Sequence, residues 1–170
     1  VDAGVMIHLE KRIPSPGGLG GGSSNAAVSL LALNRLWGIG TSFAELDTIA
    51  AELGSDVPFF LSGGTAVGWG TGSTIEPIDD AAFPWMIIVT PAVDVPTAMA
   101  YSMLSAPTLT NIEVESTLTN YRSGVGNSIE SVNDLEKTVF AAFPEVERVK
   151  NTLIELGAHH ALMSGSGASV

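Results

Sequence analysis

Between Pro14 and Ala27 the chain reads Pro-Ser-Pro-Gly-Gly-Leu-Gly-Gly-Gly-Ser-Ser-Asn-Ala-Ala. Five glycines and two serines, Gly17 to Ser24, stand directly before a helix-like segment, Ala26 to Leu33. Glycine permits positive φ and close approach of backbone to a ligand. The first N–H groups of the helix that follows have no intrahelical acceptor, so they point into the same concavity, a surface suited to phosphate. No Gly-Lys-Ser/Thr follows the glycines, so this is not the common nucleotide loop. No acidic residue stands at the ribose-binding distance of a dinucleotide fingerprint. A flexible linker is the plain alternative, but a linker need not run straight into an apolar helix.

Composition narrows the partners. The 170 residues are 45% hydrophobic and 15% charged, enough for one packed domain or two small ones. A net charge of −11 disfavours nucleic acid and anionic membranes. It also means that an anionic substrate must be held locally by backbone N–H groups, Mg²⁺ and a few cations. There is no cysteine, hence no disulfide and no thiolate site, in keeping with a cytoplasmic protein. His8, His159 and His160 make no zinc spacing, no run of 18 apolar residues marks a membrane span, and no signal peptide is visible.

Local patterns predict an α+β chain. Val5–Leu9 reads as a strand, and Ser23 or Ser24 as the cap of a helix reaching Leu36-Trp37. Ser42-Phe43-Ala44-Glu45 is a capping box for a helix to Leu53, with Leu46, Ile49, Ala50 and Leu53 as its stripe. Asp56 to Leu61 is a short helical piece. Thr65–Trp69 and Thr74–Ile78 form a hairpin. Trp85–Thr90 reads as a strand covered on both faces. Helices are expected from Pro96-Thr97 to Met103, from Asn133-Asp134 to Phe143, and from Pro144 with Val146, Val149, Leu153 and Leu156 inward. The polar stretch Ser105 to Ile129 carries the weakest pattern, and Ser164-Gly165-Ser166-Gly167 is a terminal loop. A boundary near residues 81–84 gives domains 1–82 and 83–170.

Two sets of side chains carry candidate chemistry on their own. Asp56, held between Gly54-Ser55 and Pro58, can orient a hydroxyl and take its proton, or can simply cap the helix. Thr97 and Tyr101 share a helix face, where the Tyr101 ring can stack on a flat base or pack into the core. Trp37, Trp69 and Trp85 read as packing residues.

Pro14, Gly18-Leu19-Gly20 and Ser23-Ser24 resemble the phosphate-binding motif of the GHMP kinases, the superfamily of galactokinase, homoserine kinase and mevalonate kinase. Leu53-Gly54-Ser55-Asp56-Val57-Pro58, Asn133-Asp134-Leu135-Glu136 and Met163-Ser164-Gly165-Ser166-Gly167 extend the resemblance over nearly the whole chain. The longer form of the first motif is similar to a branch that phosphorylates a cytidine diphosphate-linked methylerythritol in non-mevalonate isoprenoid synthesis.

The resemblance implies a partial two-lobe α+β fold with a ferredoxin-like C-terminal lobe and a Mg²⁺- and ATP-dependent kinase. It assigns Pro14, Gly17, Gly18, Leu19, Gly20, Gly21, Gly22, Ser23 and Ser24 to the ATP phosphates, with Gly165, Ser166 and Gly167 against them. Asp56 becomes the group that activates the acceptor hydroxyl. Asn25, Gly54, Ser55, Thr97 and Tyr101 line the acceptor, and Ser23 or Ser24 approaches Mg²⁺. The family's lysine partner for the aspartate is expected before Val1 and its last strand and helix after Val170, so residues 1–170 alone are expected to be nearly inactive. The whole enzyme is expected to be a monomer or weak homodimer. Another small-molecule acceptor, such as mevalonate, homoserine or a sugar, and a non-catalytic nucleotide-binding module are the competing readings.

Overall fold

The computed structural model describes residues 3–80, 85–104 and 132–170. The expectations for the linker at 81–84 and the stretch 105–129 fall outside the described residues. The chain forms two compact units, Val1–Arg12 with Gly20–Ala82 and Ile13–Leu19 with Phe83–Val170. The glycine run thus changes units between Leu19 and Gly20.

In the first unit, α1 (Gly21–Leu36), α2 (Phe43–Leu53) and α3 (Val57–Ser62) pack around Ala27, Ala50 and Val57, with Leu30, Phe60 and Leu61 partly buried. The small core residues let the helices approach closely. Asn34 fixes the turn after α1 by bonding both backbone groups of Thr41: its Nδ2 donates to the carbonyl at 3.0 Å and its Oδ1 accepts the N–H at 2.9 Å. The expected stripe of α2 is narrower than its sequence implies, since Leu46 and Ala50 are buried but Ile49 and Leu53 are exposed. Antiparallel β1 (Thr65–Trp69) and β2 (Thr74–Ile78) pair from Thr65↔Ile78 to Trp69↔Thr74. Trp69 Nε1 donates to Glu76 Oε2 at 3.2 Å.

The Ser42 box is formed in full. The Glu45 N–H donates to Ser42 Oγ, and the Ser42 N–H donates to Glu45 Oε2 at 2.9 Å. The Ser42 hydroxyl, and then its backbone N–H, hold the Glu45 carboxyl below its ordinary pKa. A depressed carboxylate pKa contributes stability that is present above the unfolded value and lost as pH falls through the folded one. As pH falls below about 4.5 and through the lowered folded value, the first-turn amides of α2 are therefore expected to lose hydrogen-exchange protection. In Glu45→Gln that pH dependence should vanish; persistence of the same acid step would refute it.

In the second unit, α4 (Thr97–Ser102), α5 (Leu135–Ala142) and α6 (Pro144–Glu155) surround Val95, Ala100, Leu135, Val139, Val146, Met163 and Val170. Leu156 follows the last helical residue and is exposed, so it does not continue the α6 stripe.

Two expected strands are not formed among the described residues. Val5–Leu9 has no strand partner and is exposed. Trp85 to Ile88 are exposed rather than covered, and only Val89 pairs, exchanging two backbone hydrogen bonds with Val170 at 2.9 and 3.0 Å. An apolar run encodes that a segment seeks cover; it does not encode what supplies it. Trp85 accordingly is not the packing residue its type implies. No described helix is long and apolar enough to cross a membrane.

Candidate functional site

The site begins at the end of α1. This helix starts at Gly21, earlier than the Ser23 or Ser24 cap expected from sequence. Gly20 takes the N-cap position in the left-handed region (φ 65°, ψ 12°) and offers no side chain to the helix. The first intrahelical bond runs from the Ser24 N–H to the Gly20 carbonyl at 2.9 Å. The N–H groups of Gly21, Gly22 and Ser23 therefore lack an i−4 acceptor, and the first turn holds no acidic residue. That end carries the positive pole of a helix of 16 residues. These are the requirements for binding an anion, and the residues fit a phosphate group. The Ser24 hydroxyl is engaged, donating to the Gly21 carbonyl at 3.1 Å. Asn25 lies half-buried one residue further on.

Gly20 also joins this helix end to α3. A Cβ at Gly20 would lie 2.5 Å from the Phe60 ring, so only glycine lets that ring close over the N-cap. Phe60 is one turn beyond Asp56, which sits at the start of α3. The Asp56 side chain makes no capping bond, which removes the cap as the reason for an aspartate there. Its exposed carboxylate accepts a hydrogen bond from Ser55 Oγ at 3.3 Å. Two residues before Asp56, Gly54 is the C-cap that follows α2.

The other half of the run, Pro14 to Leu19, lies in the second unit against the last loop. Ser164 Oγ donates to the Gly18 carbonyl at 2.7 Å, and the Ser169 N–H donates to the Gly17 carbonyl at 3.3 Å. A Cβ on Gly18 would stand 1.9 Å from the Ser164 carbonyl oxygen. Gly165, Ser166 and Gly167 form the turn, which is closed by the Gly167 N–H on the Ser164 carbonyl at 2.9 Å. Ser166 is buried and its Oγ is 3.0 Å from Thr97 Oγ1, so Thr97 is tied to this loop. Tyr101, on the same helix, leaves its ring exposed rather than in the core.

Sequence reasoning assigned no role to four residues that hold this loop. Asn133 Nδ2 donates to the carbonyls of Met163 and Gly165 at 2.8 and 2.7 Å. Glu136 Oε1 accepts the Met163 N–H at 2.9 Å. Lys150 pairs with the other oxygen of Glu136. Buried Ser169 shares a 2.8 Å hydrogen bond with Thr90. The Asn-Asp-Leu-Glu quartet was visible, but its partners stand some thirty residues away and no local rule connects them.

Among the described residues no group of three or more His, Asp or Glu side chains could hold a metal by itself.

The chain is similar to known proteins over most of its length. The family model for the GHMP kinases N terminal domain matches residues 2–64, and that for the GHMP kinases C terminal domain matches residues 118–170. The chain is 44% identical over 168 residues to 4-diphosphocytidyl-2-C-methyl-D-erythritol kinase of Thiobacillus denitrificans, covering 99% of itself and 56% of that protein. It is 42% identical over 172 residues to the enzyme of the same name from Bacillus cereus, of which it covers 60%. A crystal structure of 4-(cytidine 5'-diphospho)-2C-methyl-D-erythritol kinase superposes with a TM-score of 0.74 at 37% identity, over 94% of this chain and 58% of that one. The chain thus spans under two thirds of the length of each of these relatives.

Proposed function

Because the chain belongs to the GHMP kinases, a family that uses ATP, we propose that it carries the phosphoryl-transfer site of a 4-diphosphocytidyl-2-C-methyl-D-erythritol kinase. The reaction moves the γ-phosphate of ATP to the 2-hydroxyl of that substrate, a step of non-mevalonate isoprenoid synthesis. The observation that carries this reading is the Phe60–Gly20 contact, which holds an uncapped helix end and a carboxylate that makes no capping bond in one packed unit.

In the first unit the open N–H groups of Gly21, Gly22 and Ser23 would hold phosphate oxygens; Gly17, Gly18 and Gly165–Gly167 are the second unit's candidates for contact with ATP. Ser23 is the better candidate than Ser24 for the oxygen near Mg²⁺, since the Ser24 hydroxyl is already donated to Gly21. When bound, Mg²⁺ would neutralise phosphate charge that a chain of net charge −11 cannot offset alone. Asp56 would accept the proton of the acceptor hydroxyl as its oxygen bonds to the γ-phosphorus and the bond to ADP breaks. Ser55, through its hydrogen bond, and Gly54 would orient that carboxylate. Asn25 would contact the acceptor beside them.

Thr97 and Tyr101 would take the cytidine side of the acceptor, the exposed ring stacking on the base. Tyr101→Ala is expected to raise KM for the cytidine-bearing acceptor about tenfold, the equivalent of about 1.4 kcal/mol, with KM for ATP unchanged. Steady-state kinetics in the full-length protein tests this. An unchanged acceptor KM would turn the reading toward a GHMP kinase with a different acceptor.

We take the domains expected at 1–82 and 83–170 to be the two lobes, except that residues 13–19 go with the second unit; the second lobe is ferredoxin-like, in a cytoplasmic monomer or weak homodimer. Residues 1–170 by themselves are expected to bind Mg-ATP weakly and turn over negligibly.

A further inference from the structure

We propose that Asn133 and Glu136, with Lys150 as the counter-ion of Glu136, are positioning residues that set the shape of the 163–169 turn and, through it, the Gly17–Gly18 backbone. The proposal rests on the kinase reading for its consequence, though not for its geometry.

Three observations carry it. First, the two side chains occupy both kinds of backbone group at one site. Asn133 donates to the Met163 and Gly165 carbonyls, and Glu136 accepts the Met163 N–H. The peptide groups on either side of Met163 are thus fixed in rotation. Secondly, Asn133 is itself locked, because its Oδ1 accepts the Leu135 N–H at 3.0 Å as α5 begins. A rigid helix start, rather than a mobile side chain, therefore dictates where the turn lies. Thirdly, the turn transmits that placement. Ser164, between the two clamped carbonyls, donates its hydroxyl to Gly18 and presents its carbonyl where Gly18 lacks a Cβ. Ser169 closes the far side on Gly17.

Lys150 completes the arrangement. The Glu136 side chain is only 15% exposed, and a carboxylate so placed is normally paired with a cation. Lys150 supplies it while its ammonium lies 5.7 Å from the Phe140 ring centre. No atom of Asn133, Glu136 or Lys150 needs to touch ATP for these residues to matter.

Asn133→Asp is the sharp test. It keeps size and the acceptor for Leu135, but sets a carboxylate oxygen against two carbonyl oxygens. In the full-length protein, amide exchange at Met163, Ser164, Gly167 and Ser169 is expected to accelerate at least about tenfold, with α6 amides unchanged. KM for ATP should rise about tenfold or more, with kcat held within about threefold. Glu136→Gln, which can still accept from Met163 but loses the Lys150 pair, should show the same pattern at smaller amplitude.

Unchanged exchange at Ser164 and Ser169 would overturn the proposal. So would a fall in kcat at constant KM for ATP, the signature of a smaller folded fraction. Loss of α6 protection in both variants would mark the residues as general supports and overturn it too. If the unaltered protein binds no ATP by calorimetry, the kinase reading fails, and the exchange data still decide the positioning role.

Discussion

Asp56→Asn is expected to lower kcat by about 10²–10⁴-fold, the span associated with removing a general base, while KM for ATP stays within about threefold. The reasoning starts from what the side chain does not do. An aspartate at a helix start normally accepts a first-turn N–H, and this one does not. Asparagine keeps the volume and an oxygen for Ser55, so α3 and the Phe60 contact should survive. What it removes is the ability to take a proton. Steady-state kinetics in the full-length protein, with calorimetry of ATP binding, separates the two effects. Equal turnover would remove Asp56 from the chemistry. A parallel loss of ATP affinity would place it in the phosphate site instead.

Gly18→Ala is expected to be the most damaging change in the glycine run. The residue has φ 69°, where an L side chain costs about 1–2 kcal/mol. Its Cβ would also overlap the Ser164 carbonyl oxygen at 1.9 Å, and backbone on both sides leaves nothing flexible to yield. A total of about 3 kcal/mol or more is expected, read as a lowered urea midpoint. The surviving folded protein should show a large rise in KM for ATP, because Gly17 and Gly18 must move away from Ser164. Gly22→Ala is the matched comparison: its Cβ meets nothing within 4 Å and lies in a helix, so stability should hold or rise. Similar urea midpoints for the two variants would contradict the close approach of the loops.

The difference between these glycines was not legible in the sequence, though the run itself was. Local rules found the Ser42–Glu45 box, the 65–78 hairpin and the Asp56 turn, because each depends on residues within a few positions. They misplaced the start of α1, since a left-handed Gly20 took a place that a serine side chain usually fills. They could not choose between cap and catalyst at Asp56, because that depends on where one carboxylate points. They read Val5–Leu9 and Trp85–Thr90 as strands from apolar pattern alone, while pairing depends on a partner elsewhere. They gave Asn133 and Glu136 no role, although both hold a loop some thirty residues away.

The kinase reading is tested most directly by following phosphorus. The full-length protein is mixed with Mg-ATP and 4-diphosphocytidyl-2-C-methyl-D-erythritol, with mevalonate, homoserine and galactose in parallel, and the products are read by ³¹P NMR. The expected result is one new phosphomonoester at the tertiary 2-hydroxyl of the cytidine-bearing acceptor. ADP should appear in equal amount, at a turnover within the ordinary enzyme range of about 1–10³ s⁻¹. Transfer to another acceptor at a higher kcat/KM, or ATP binding with no ester formed on any of the four, would contradict it.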